Sequence, residues 1–259
     1  MKDTILNFYG LKLLPFGKEI ASMDLFKTRI MDDAIAMLLL GMEGEDLLLL
    51  SGSIGCGKSA IIRAAMAAVD LNRYLPIYLR GCPMKEADLY KLILVELKIE
   101  APRSLARARL AFINAISSLP RKPVVFLDDA QDVGQEALLA LKAMVNFSQD
   151  SKSLITVILA GQPELRTLLS YSHFLSLRQR IKLDMHLAGM DLAETCAYID
   201  HGLKIAGRPT PLFSDSAKME LFKRSGGIAR QVNSLCYRSI VEGAIHHREI
   251  IDSNDLPES

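Results

Sequence analysis

A chain of 259 residues, half of them hydrophobic and 24% charged, can bury the core of one large domain or of a large domain with a small companion, which excludes wholesale disorder. Lys and Arg total 31 against 30 Asp and Glu, and this net charge of +1 excludes a uniformly basic nucleic-acid coat while permitting a local patch. Cys56, Cys82, Cys196 and Cys236 are scattered with no Cys-x-x-Cys pair, so free thiols in a cytoplasmic protein are expected, without structural zinc.

The first 17 residues lack the pattern of a secretion signal, and the apolar runs at 47–50 and 154–160 fall short of the roughly 18 residues of a membrane span. No membrane association is expected. Residues 47–50, four leucines ending in Ser51-Gly52, read as a strand buried on both faces. The Ala-rich stretch 59–69 reads as a helix, 74–79 as a second strand, and 85–98 and 104–118 as helices. Strand 124–127, helix 135–147, strand 154–159 and a further strand over 180–185 follow. Strands alternating with helices predict an α/β fold, a mostly parallel sheet flanked by helices. Past residue 189 only helical patterns remain, over 191–206, 214–223 and 228–244. The expected division is an α/β domain over 1–189 and a small helical lid domain over 190–259, the alternative being one domain with these helices packed on the sheet.

Gly52-Ser53-Ile54-Gly55-Cys56-Gly57-Lys58-Ser59 matches Gly-x4-Gly-Lys-Ser between a predicted strand and a predicted helix. Glycines let the backbone turn tightly so that successive N–H groups face a phosphate, and the helix opening near Ala60 adds its positive end. In such a loop Lys58 reaches the β- and γ-phosphates of ATP, and the Ser59 hydroxyl ligates Mg2+. The second half is Val124-Val125-Phe126-Leu127-Asp128-Asp129, an apolar strand ending in two carboxylates. Asp128 is the expected Mg2+ partner and Asp129 the candidate to polarise an attacking water. A turn in which Asp129 or Asp132 caps the next helix would look similar in isolation.

These residues resemble an AAA+ ATPase, of the branch that holds the ExeA/GspA secretion ATPases and the transposition helpers of the TnsC, TniB and MuB types. Phe8-Tyr9-Gly10-Leu11 with Pro15-Phe16 is similar to the amino-terminal signature of that branch, which packs near the adenine. Asp128-Asp129-Ala130-Gln131 resembles its Asp-Glu-Ala-Gln, and Gly161-Gln162-Pro163-Glu164-Leu165 its Gly-Gln-Pro-Glu-Leu. The resemblance implies that Gln162 senses the γ-phosphate, the alternative being a residue that starts a helix before Pro163. Leu177-Arg178-Gln179-Arg180-Ile181 is similar to a stretch whose arginine reaches the nucleotide of a neighbouring subunit, and both Arg178 and Arg180 are candidates. Ser225-Gly226-Gly227-Ile228-Ala229-Arg230 resembles the Gly-Gly-x-Pro-Arg of the lid, with Ala229 in place of Pro, and implies that Arg230 is a lid sensor. Asp129 stands where the branch usually has Glu, one methylene longer, so slow hydrolysis is expected.

The resemblance implies a nucleotide-dependent homo-oligomer, ring or filament, and two roles. One is a transposition helper that binds duplex DNA without strong sequence preference and engages a transposase. The other is a secretion-associated ATPase, whose members usually carry a membrane segment and a peptidoglycan-binding region after the lid. Neither follows here before Ser259, and this favours the DNA reading. The run from Lys98 to Pro123 carries six basic residues and one acidic, with Arg103 and Arg107 four apart and expected on one helix face if the segment is helical. A solvated face explains the same charges. A nucleotide-binding scaffold with little hydrolysis is a third reading.

Overall fold

A computed structural model of the chain describes residues 2–17, 26–44, 47–145, 153 and 155–257. The strands are β1 (Leu47–Gly52), β2 (Tyr74–Arg80), β3 (Lys122–Asp128), β4 (Thr156–Gly161) and β5 (Ile181–Leu187). The helices are α1 (Lys2–Tyr9), α2 (Arg29–Gly44), α3 (Lys58–Ala68), α4 (Glu86–Glu96), α5 (Leu105–Ser118), α6 (Gln135–Val145), α7 (Pro163–Ser170), α8 (Leu175–Arg178), α9 (Leu192–Ile205), α10 (Asp215–Ser225) and α11 (Ala229–Ile245). Contacts group them into two units, each described on its own.

The first unit covers residues 30–52 and 58–187 and contains a parallel five-stranded sheet in the order β2-β3-β4-β1-β5. The sequence of each strand matches its place. β1 and β4 are central and buried at every position, as continuous apolar runs require when helices cover both faces. β5 lies at an edge and alternates, with Lys182, Asp184 and His186 turned outward. β2 holds Pro76, which has no N–H for a ladder and so suits the other edge. Leu49, Val125, Val157 and Leu159 meet Leu89, Phe112, Leu138 and Phe174 of the flanking segments in one core.

Helix α2 buries Met31, Ala34, Leu38, Gly41 and Met42, a helical stripe that the sequence reading passed over. A Cβ on Gly41 would stand 2.8 Å from Leu48 Cδ1, so the small residue lets α2 lie close on β1. Arg103 precedes the Ser104 cap of α5, so the shared helix face expected for Arg103 and Arg107 does not form: the turn of 3.6 residues begins only at Leu105. Three other members of that basic run are engaged. Arg109 pairs with Glu86, while Arg121 and Lys122 donate to the carbonyls of Leu71 and Met42.

The second unit gathers the described residues within 1–29, 53–57 and 188–259. Ile5, Tyr9 and Leu11 join Ile199, Leu203, Phe213, Leu221, Val232, Cys236 and Ile240 in its core. The amino-terminal segment thus belongs to the helical unit by burial, whereas the boundary read near residue 189 leaves it with the sheet. Tyr9 Oη donates to the Arg248 carbonyl, and Arg208 Nη1 donates to the Tyr9 carbonyl. Helix α9 opens on a capping box in which Asp191 accepts from the Glu194 N–H at 2.7 Å and Glu194 returns the bond. Among the described residues no helix is long and apolar enough to cross a membrane.

Candidate functional site

All five strands run in parallel, so their carboxyl ends gather at one edge of the sheet. There, in the first unit, the two halves predicted from sequence meet. Lys58, the first residue of α3, is 7% exposed and folds its Nζ back 2.7 Å onto the Gly52 carbonyl at the end of β1. Ser59 Oγ donates to Asp128 Oδ2 at 2.7 Å, closing a contact between residues 69 apart in the chain. Asp128 is 2% exposed, and a buried carboxylate needs donors around it. It has two more: Tyr78 Oη reaches the same oxygen at 3.2 Å, and the Asp129 N–H reaches Oδ1 at 3.0 Å. Burial, followed by the charge and hydrogen bond of Asp128, pushes the Tyr78 phenol above its ordinary range, so it stays a donor at neutral pH.

Asp129 adopts φ 52°, ψ 41°, the left-handed region that Asp tolerates better than most side chains. This conformation gives a backbone reason for Asp where the resembling branch has Glu. Its Oδ2 lies 3.6 Å from Arg80 Nε, on the half-open rim of the sheet. The Gly81 N–H donates to the Asp128 carbonyl at 2.6 Å, and a Cβ on Gly81 would stand 2.1 Å from the Asp129 carbonyl oxygen. Gln131 Oε1 accepts from the Gln162 N–H at 3.0 Å and so ties the segment after β3 to the end of β4. Gln162 itself is the extended cap residue of α7, with Pro163 in the first turn, and its side chain makes no capping bond. Its amide is therefore not spent on the helix end.

The intervening loop Ser53–Gly57 falls in the second unit. Gly55 and Gly57 have φ +83° and +108°, as the tight turn requires, and Cys56 N–H donates to the Ser53 carbonyl. A Cβ on Gly55 would stand 2.3 Å from Arg230 Cβ, whereas one on Gly57 would meet nothing within 4 Å. The loop is therefore packed at Gly55 and open at Gly57. Arg230, the second residue of α11, donates its N–H to the Gly55 carbonyl at 3.2 Å and keeps its side chain exposed. Gly226 and Gly227, at φ 57° and 71°, make the turn before α11, and the Met190 N–H donates to the Gly227 carbonyl at 2.9 Å. Ala229 occupies the first helical position, where Pro is favoured but not required, so its presence leaves this turn intact.

Arg178 ends the short α8, exposed, while Leu177 beside it is fully buried. Arg180 is half-buried in the turn before β5 and engaged within the chain. Arg107 is exposed in the first turn of α5, and Ala60 is half-buried in the first turn of α3. Sequence reasoning missed Tyr78, Arg80 and Gln131 as members of the site. The signal for the first two was alternation: residues 78 and 80 share one face at the end of a strand, and Arg80 is in register with Asp128.

The donor set suits a hard cation. Ser59 and Asp128 offer two oxygens side by side, as expected for Mg2+, which keeps water and phosphate oxygens for its other positions. Among the described residues no group of three or more His, Cys, Asp or Glu is placed to cage a metal alone. The buried ammonium of Lys58 at the end of β1 suits a phosphate oxygen.

Comparison with known proteins agrees with this geometry. The AAA domain family model matches residues 41–169. The chain is 29% identical over 242 residues to general secretion pathway protein A of Aeromonas hydrophila, covering 91% of this chain and 44% of that protein. It thus spans less than half the length of this relative. Among solved structures, Cdc6p of Pyrobaculum aerophilum aligns with a TM-score of 0.69 at 15% identity, over 91% of this chain and 67% of that one. The Aeropyrum pernix ORC2 protein, in ADPNP and ADP complexes, aligns with 0.66 at 16% identity, over 93% and 69%. The Thermotoga maritima RuvB Holliday junction branch migration motor aligns with 0.55 at 18% identity, over 88% and 67%. The parallel sheet flanked by helices and the helical carboxyl-terminal region give this chain the P-loop fold of the AAA+ ATPases, and residues 41–169 are similar to the AAA domain family.

Proposed function

We propose that the protein binds ATP with Mg2+, hydrolyses it slowly, and uses the nucleotide to switch a homo-oligomer between assembly states. The observation that carries this reading is the Ser59–Asp128 hydrogen bond, which brings the two motif halves to one point beside the buried Lys58. Bound Mg2+ would supply charge neutralisation at the β- and γ-phosphates, held by Ser59 and Asp128. Lys58 exchanges the Gly52 carbonyl for phosphate oxygens. Asp129 orients the attacking water, and Gln162 reads the γ-phosphate with its uncommitted amide. Arg230 reports nucleotide state to the 190–259 lid. The exposed Arg178 is a better finger towards a neighbouring subunit than the half-buried, engaged Arg180.

Slow turnover follows from Asp129. Its short side chain already faces Arg80, and a displacement near 1 Å costs on the order of 100-fold. Such an enzyme suits a timing switch.

The Aeromonas relative supports a role beside secretion machinery as the first choice of partner. Duplex DNA is the second reading. It is supported by the exposed Arg103 and Arg107, and weakened by the engagement of Arg109, Arg121 and Lys122. A transposase partner belongs to that second reading only. The deciding experiment measures ATP turnover and sedimentation with and without duplex DNA, using ATP and a non-hydrolysable analogue. Assembly indifferent to DNA supports the secretion-type role, and nucleotide-dependent co-sedimentation with DNA overturns it in favour of the second.

A further inference from the structure

Three donors converge on Asp128, and one of them comes from outside both motifs. Tyr78 sits on the edge strand β2, 41% exposed, with its Oη 3.2 Å from Asp128 Oδ2. The oxygen it holds is the one that also accepts from Ser59, so the phenol acts on the carboxylate atom nearest the candidate metal ligand. Two residues along the same strand face, Arg80 approaches Asp129, so β2 aims one side chain at each of the two carboxylates. Strand register fixes the arrangement, because Tyr78 pairs with Phe126 and Arg80 with Asp128.

Resting on the Mg2+-nucleotide reading above, we propose that Tyr78 is a positioning residue that orients the Asp128 carboxylate for the metal. A carboxylate held at both oxygens turns less before it binds, and partners outside the metal's own ligands commonly change metal affinity 10- to 100-fold. Tyr78 is partly solvent-exposed and only one of three donors, so the lower end of that range applies.

The test uses Tyr78→Phe, which keeps the ring on the strand and removes only the hydroxyl. Fluorescence of mant-ATP on the protein is titrated with MgCl2, and nucleotide affinity is measured separately in EDTA. The expected result is a half-saturating Mg2+ concentration raised by about tenfold, with affinity in EDTA within about twofold of the wild type. A structural role of the tyrosine alone would not separate the two readouts. Half-saturation unchanged in Tyr78→Phe, with the wild type responding to Mg2+, would overturn the role of Tyr78 and leave the nucleotide site standing. A wild type that binds no mant-ATP at any Mg2+ concentration would overturn the site and this inference with it.

Discussion

Substitution of Gly81 by Ala perturbs the candidate water-polarising residue without touching any side chain of the site. The new Cβ would stand 2.1 Å from the Asp129 carbonyl oxygen and 2.9 Å from that of Asp128, where side-chain carbons do not come within 3.0 Å. The turn at Asp128–Asp129 must therefore yield by about 0.9 Å, in a region packed too densely to absorb it freely. The 2.6 Å bond from the Gly81 N–H to the Asp128 carbonyl opposes the movement. Overpacking of this kind costs about 1–3 kcal/mol, equivalent to a Tm lower by roughly 2–12 °C for a unit of this size. A shift near 1 Å at a catalytic carboxylate lowers turnover on the order of 100-fold. Thermal unfolding followed by circular dichroism, together with steady-state ATP turnover, reads both effects. A variant with wild-type Tm and turnover within twofold would refute the close approach as the reason for glycine at this position.

Further outcomes follow from the same geometry. Asp129→Asn keeps a side chain that tolerates the left-handed backbone but removes the charge, so turnover should fall at least 100-fold while equilibrium ATP binding stays within about twofold. If Arg178 acts on a neighbour, turnover per subunit rises with protein concentration and Arg178→Ala abolishes the rise; a specific rate flat across the assembly range contradicts this. Burial pushes the Tyr9 phenol up to about 12 from its ordinary value of 10.0. Because the folded state holds this proton more tightly, the contribution of Tyr9 to stability is complete below pH 10 and is lost as pH rises towards 12. Tyr9→Phe should therefore show a smaller fall in Tm between pH 9.5 and about 12 than the wild type, and an equal fall would remove Tyr9 from the alkaline transition.

What the sequence made readable was whatever is encoded locally. The loop from Gly52 to Ser59 announces itself because each residue type answers a local demand: positive φ at Gly55 and Gly57, a helix start at Lys58. Asp128 was legible because a buried strand ends on it. Alternation puts Tyr78 and Arg80 on one strand face, but their importance depends on β2 lying next to β3, a pairing between segments 48 residues apart that alternation does not announce. The same holds for Tyr9, whose partners Arg208 and Arg248 stand about 200 or more residues away. The helix face shared by Arg103 and Arg107 depended on where α5 begins. The spacing of Arg103 to Arg107 suits a helix face, but Ser104 before Leu105 is extended and the helical turns start after it.

Calorimetric titration of ATP in the presence of Mg2+ into wild-type protein and into Lys58→Ala probes the phosphate site itself. The buried ammonium at the Gly52 carbonyl predicts saturable binding by the wild type and its loss, or a weakening of at least 100-fold, in the variant. Equal affinity of the two proteins, or no heat from either, would contradict a phosphate site at Lys58.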